Sequence, residues 1–328
     1  MRTTCLLALL AVGCNKDDGT DTAPEADTDT DTDTDTDTDT DTDTDTDTDT
    51  DTDVVGIELV LDATEVSTRE LVTYTVEATF DDGATDDVTG DVTVASTAPE
   101  VIAVYVAGTA QPIDAGTATL TASYSGFDST ADVTVTLGAA AEGDLVINEL
   151  LADATVDGDP NGDGTTDSVE DEFLEIANAC QCTVDLSGVT VVEENWSTGL
   201  PRHTFGDDTV LYAGQSIVLF GGGDLSALSG DQVQYYTVEN ADPGTAYGLS
   251  LSDDGETVRI LAADGSTITE LDYTKLAVQD ASLTLSPDVT GSYVDHRKAK
   301  GSTGDYSPGT WADGSAYAGW AATYEGTP

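Results

Sequence analysis

From residue 54 onward the chain is written in short apolar and β-branched runs, broken by turn residues at intervals of about eight to twelve positions, a spacing typical of all-β sandwiches. Strands are expected at 56–62, 71–80, 92–96, 101–106, 117–123 and 131–136. The stretch Thr117-Ala118-Thr119-Leu120-Thr121-Ala122-Ser123-Tyr124 alternates strictly, which predicts one buried and one solvated face. Asp81-Asp82-Gly83 is placed to make a tight hairpin, and Ala115-Gly116 to open the alternating strand. A second β-rich region starts at Asp144-Leu145-Val146-Ile147-Asn148-Glu149-Leu150-Leu151. The fold class expected is therefore all-β, with two β-sandwiches in tandem, over 54–138 and 143–315, and a C-terminal tail over 316–328.

Before residue 54 this patterning is absent. Residues 1–13 combine Arg2 with a short apolar run, too brief to span a bilayer and of the form of an export signal. The run ends Ala11-Val12-Gly13-Cys14, which resembles the lipobox of bacterial lipoproteins, with Ala11 where the family usually carries Leu. The resemblance implies thioether lipidation of Cys14; the alternative is an ordinary cleaved signal. Several acyl chains, at roughly 0.8 kcal/mol per buried methylene, would hold the protein on a membrane. Asn15 after the cysteine resembles lipoproteins sent to the outer membrane, at the cell surface or facing the periplasm.

Residues 14–53 follow as an acidic tether. From Asp27 to Asp53 the sequence is an unbroken Asp-Thr alternation with nothing apolar to bury, so disorder is expected. Asp side chains about 7 Å apart in an extended chain repel within the ~8 Å screening length of physiological salt. Charge changes the picture for the rest as well. Of 65 acidic residues, 47 lie beyond residue 53, against seven basic ones. Nucleic acid is thereby excluded as a partner, because binding it requires clustered cations, whereas cation binding fits.

Two family resemblances sharpen the fold. Ala78-Thr79-Phe80-Asp81-Asp82-Gly83, Asp87-Val88-Thr89, Ala95-Ser96-Thr97-Ala98-Pro99-Glu100-Val101-Ile102 and the alternating 115–124 stretch resemble, in order, group 2 bacterial immunoglobulin-like domains. In the second region the landmarks are residues 144–151, Asp171-Glu172-Phe173-Leu174-Glu175-Ile176-Ala177-Asn178, Val184-Asp185-Leu186-Ser187-Gly188, Arg202-His203-Thr204-Phe205, 212–223, Leu249-Ser250-Leu251 and Ser307-Pro308-Gly309. In this order they resemble the lamin-tail domain. The resemblances imply two immunoglobulin-like β-sandwiches in tandem, of a kind common in surface proteins, serving either as spacers or in binding.

One segment carries specific chemistry. Residues 159–170, Asp-Pro-Asn-Gly-Asp-Gly-Thr-Thr-Asp-Ser-Val-Glu, match the twelve-residue calcium-loop template at each side-chain position. Asp159, Asn161 and Asp163 would be monodentate ligands, Thr165 would offer its carbonyl, Asp167 would act directly or through water, and Glu170 would clamp bidentately. The competing reading is an acidic loop of Asx-turns without metal. Cys180-Gln181-Cys182 leaves three readings open: a mutual bridge, which needs a local turn, free or intermolecular thiols, or a metal.

Catalytic signatures are missing. His203 and His296 stand in no catalytic spacing, Gly221-Gly222-Gly223 reads as a turn, and Glu172 with Glu175 cannot be singled out in so acidic a chain. Trp196, Trp311, Trp320, Tyr306 and Tyr317 are expected in packing. The expected function is a non-catalytic surface lipoprotein for adhesion or scaffolding, calcium-stabilised, meeting the membrane through its lipid and an unidentified protein or glycan. The alternative is an accessory subunit of a secreted divalent-metal-dependent hydrolase.

Overall fold

The computed structural model describes residues 52–152, 158–194, 200–238, 248–276 and 280–317. Cys14, nearly all of the Asp-Thr repeat, Trp196, Trp320 and the tail beyond Tyr317 lie outside them. Among the described residues all regular structure is strand, apart from two single-turn 3-10 helices at Leu225–Ala227 and His296–Lys298.

Nine strands build the first sandwich: β1 (Val54–Leu61), β2 (Glu65–Ser67), β3 (Val72–Phe80), β4 (Thr85–Asp87), β5 (Thr93–Ser96), β6 (Ile102–Val106), β7 (Thr109–Pro112), β8 (Gly116–Tyr124) and β9 (Phe127–Thr136). One sheet runs β1-β3-β7-β6, with β4 on β3, and the other β2-β9-β8-β5. Period-two patterning produces the core directly. Val72, Tyr74, Val76 and Ala78 of β3 point inward while the residues between them are exposed, and they share a core with Ala118, Leu120 and Ala122 of β8. Each large apolar side chain buried in this way contributes about 1.5–3 kcal/mol.

All six expected strands are present here, and three short ones are added. Thr85-Asp86-Asp87 is exposed throughout, so no apolar pattern marks it; it pairs with β3 through the hairpin at Gly83, whose φ of +85° needs glycine. Strand β9 starts at Phe127, four residues before the expected boundary. Ser125 and Gly126, at φ 47° and 83°, form a two-residue turn that pairs Tyr124 with Phe127.

The second sandwich comprises β10 (Gly138–Ala139), β11 (Leu145–Leu151), β12 (Phe173–Asn178), β13 (Val184–Asp185), β14 (Thr190–Glu193), β15 (Leu200–Thr204), β16 (Val210–Leu211), β17 (Ser216–Phe220), β18 (Val233–Thr237), β19 (Thr257–Leu261), β20 (Thr267–Asp272), β21 (Leu283–Ser286) and β22 (Ser292–Asp295). A six-stranded sheet, β18-β17-β12-β11-β21-β22, shares a core with a four-stranded one, β15-β14-β19-β20. Leu145, Ile147, Leu174, Ile176 and Leu219 meet Val191, Val258 and Ile260 there. A second apolar layer packs Leu151, Phe173 and Phe220 against Tyr306, Trp311 and Tyr317 of the C-terminal segment. Every residue of β12 and β17 is consequently buried, and both strands read as near-continuous apolar runs.

The described residues form one compact unit. Thr183 ties its two parts together, donating its amide to the Ile113 carbonyl at 2.7 Å and accepting from Thr68 Oγ1 at 2.7 Å. An ion pair of Arg69 with Asp144 completes the junction.

Candidate functional site

Landmarks that are far apart in the sequence converge on the second apolar layer. A register shift in β11 between Ile147 and Glu149 reverses the alternation, so Leu150 faces the first core while Glu149 and Leu151 turn toward the C-terminal segment. Glu149 accepts from Ser282 Oγ at 2.6 Å, Ser307 N at 2.8 Å and Ser307 Oγ at 2.6 Å. His296 Nε2 lies 2.9 Å from Ser307 Oγ, and its Nδ1 lies 3.0 Å from the Gly304 carbonyl. Glu175 accepts from Asn148 Nδ2 at 2.8 Å, from Gly309 N at 2.6 Å and from the Tyr317 hydroxyl.

Both carboxyls are fully buried. Burial raises Glu149, with His296 drawing it back, and pushes Glu175 up to about 8, the charge of Glu149 adding to the rise. A second buried acid group lies on the other side of β12. Burial pushes Glu172 up to about 9, and its Oε2 accepts from Leu251 N at 3.3 Å. Burial and the neighbouring Glu193 bring Glu256 to about 7; its Oε1 accepts from Ser252 N at 3.1 Å and from Tyr273 Oη at 3.3 Å. Glu193 in turn is paired with Arg202 at 2.5 Å. Shifted acids often mark catalysis, yet structural networks shift them too. Glu149 and Glu175 are both spent on fastening residues 305–317 to the sheet.

The acidic loop is built from tight turns. Asp159 accepts from the amides of Asp163 (3.0 Å) and Gly164 (2.8 Å), Asn161 Oδ1 from Asp163 N (3.0 Å), Asp163 from Thr165 N (2.7 Å), and Asp167 from Val169 N (2.8 Å) and Glu170 N (3.1 Å). Gly162 and Gly164 take φ of +74° and +88°, which glycine adopts freely. Glu170 lies along the Gly221-Gly222-Gly223 backbone. A Cβ at Gly221 would stand 1.8 Å from the Val169 carbonyl oxygen, one at Gly222 2.8 Å from Glu170 Cγ, and one at Gly223 2.3 Å from Asn161 Nδ2. The triplet thus acts as the seat on which this loop rests, and only glycine permits the approach. Among the described residues no group of three or more Asp, Glu, His or Cys side chains stands converged on one point as a metal cage. An oxygen accepting one amide still keeps a lone pair for a cation.

Cys180 and Cys182 are joined as a disulfide with Cα atoms 5.1 Å apart, in a turn stabilised by Asn178 Oδ1 accepting from Cys180 N at 2.9 Å. His203 packs edge-on against Phe205 with ring centroids 4.6 Å apart, and Trp311 packs on Tyr317 at 4.1 Å.

Residues 138–275 match the lamin tail domain model. The lamin-tail match contains β11, the acidic loop, β12 and the glycine seat, while β21, β22 and the Ser307–Gly309 segment lie C-terminal to it. Among solved structures, domains 5-6 of the S-layer protein SbsC align at 16% identity over 65% of this chain and 94% of that one, with a TM-score of 0.20. Domains 4-9 of SbsC align at 17% identity over 65% of this chain and 30% of that one, with a TM-score of 0.20. A DUF4876 family protein from Bacteroides thetaiotaomicron aligns at 11% identity over 58% of this chain and 53% of that one, at 0.24. Superpositions this loose assign no function. No curated protein matches.

Proposed function

We propose that this chain is a non-catalytic surface lipoprotein that displays two β-sandwiches for adhesion or scaffolding, with a group 2 immunoglobulin-like first part and a lamin-tail second part stiffened by calcium at the acidic loop. The observation that carries the reading is the fate of the buried acids: Glu149 and Glu175 are consumed by Ser282, Ser307, Gly309 and Tyr317 inside the sandwich, where no substrate reaches them. These two buried carboxyls therefore hold the fold together. The acidic tether from Asn15 to Asp53 would reach at most ~130–140 Å when extended, enough to lift the sandwiches off a membrane. Among the described residues no helix is long and apolar enough to cross a membrane. Attachment is assigned to lipid on Cys14, on the strength of the Ala11-Val12-Gly13-Cys14 stretch.

Fractionation of bacterial cells producing the full chain tests this. Wild-type protein is expected in the membrane fraction and released by detergent, while Cys14→Ser is expected in the soluble fraction. Equal membrane retention of both would overturn the anchor.

A further inference from the structure

The calcium-loop template ends at Glu170, but the structure places a further carboxylate inside the same loop. Asp171 is completely buried; its Oδ2 accepts from Asp167 N at 2.7 Å, while its Oδ1 has no hydrogen-bond partner. A buried carboxylate oxygen without a partner costs several kcal/mol of desolvation, so such atoms persist where something compensates them. No cationic side chain does so: among the described residues the ion pairs of Arg and Lys go elsewhere. The glycine seat makes the arrangement a built one. Gly222 and Gly223 press against Glu170, Asn161 and Asp163, and Gly222 N donates to the Glu170 carbonyl at 3.1 Å.

We propose that Asp171 Oδ1 is a ligand to a hard divalent cation held by residues 159–170, an interior carboxylate that the twelve-residue template does not contain. The proposal rests on the calcium reading above and refines it. Calcium takes six to eight oxygens in flexible geometry, so it accepts an additional monodentate carboxylate, and its two charges offset an acid set that protein cations leave unpaired. Magnesium, which demands near-ideal octahedral geometry and keeps its waters, suits a loop this crowded less well.

The test is a calcium titration of the full chain by calorimetry, with terbium luminescence in parallel. Tyr306 is the sensitiser, since its hydroxyl oxygen accepts from Asp159 N at 3.2 Å. Asp171→Asn keeps the shape and removes the charge; Asp171→Ser serves if the amide crowds the site. Wild type is expected to bind, and Asp171→Asn to bind at least tenfold more weakly while melting in chelator no lower than wild type. A variant that binds as wild type does, while Glu170→Gln loses the metal, would overturn the role of Asp171 and leave the calcium reading intact. A wild-type chain that binds neither ion would defeat the calcium reading and the role of Asp171 with it.

Discussion

Glu149→Ala is expected to cost about 3–5 kcal/mol and to lower the melting temperature on the order of 10 °C. The variant removes the acceptor of three donors in a dry layer, Ser282 Oγ, Ser307 N and Ser307 Oγ; Ser307 N is left without one, while Ser282 Oγ keeps only the longer bond to the Asp305 carbonyl and Ser307 Oγ only His296. Removing one member of a buried polar network costs more than the contact itself, because its partners stay buried and unpaired. The loss should also be local at first. Residues 305–317 cover the outer face of the six-stranded sheet, so limited proteolysis of the variant should cut between 297 and 306 before the rest of the sandwich opens. Unchanged melting and unchanged proteolysis would mean that the C-terminal segment is held by apolar packing alone.

The second large effect is a stability that falls as pH rises. Glu175 and Glu256 are pushed up to about 8 and about 7 in the folded chain, against 4.5 for an ordinary glutamate. Between those limits the folded protein holds protons that the unfolded chain has released. Stability is then fully present below pH 4.5 and is lost as pH climbs through 7 and 8, at roughly 1.4 kcal/mol per pH unit for each such proton. Repulsion among the excess acids acts in the same direction. In strong acid the trend reverses, because Asp295, held at about 2 by Arg297 and Lys298, loses its charge. Melting scans in chelator should peak near pH 4–5 and decline by several kcal/mol by pH 8. Glu256→Gln, which mimics the protonated acid beside Glu193, should melt higher than wild type at pH 8 and no differently at pH 5. A flat profile from pH 5 to 8 would contradict these shifts.

Much of the fold is legible in the sequence because the first sandwich has one wet face per sheet. There the period of two survives, and all six expected strands are found. In the second sandwich only strands tied to family landmarks stood out. The central strands β11, β12 and β17 of the six-stranded sheet are buried on both faces, which erases alternation; β14, β18, β19, β20, β21 and β22 carry no landmark of their own, and the parallel pairing of β17 with β18 leaves no trace in the sequence. The buried acids were harder still. Glu149 and Glu175 look ordinary in a chain with 65 acidic residues, and only their position inside runs that are otherwise apolar sets them apart. Gly221–Gly223 read correctly as a turn, yet its need for three glycines comes from a loop some 50 residues earlier that no local pattern reveals. Asp171 fell just past the end of a recognised template, and its orphaned oxygen is visible only in three dimensions.

If the glycine-seated acidic loop takes a hard cation and so stiffens a displayed sandwich, calorimetric melting of the full chain should differ between chelator and millimolar Ca²⁺. At a hundred times the dissociation constant a ligand bound only to the folded state adds about 2.7 kcal/mol, so a rise of several degrees is expected, absent in Glu170→Gln. Identical melting of the wild-type chain under both conditions would contradict the account.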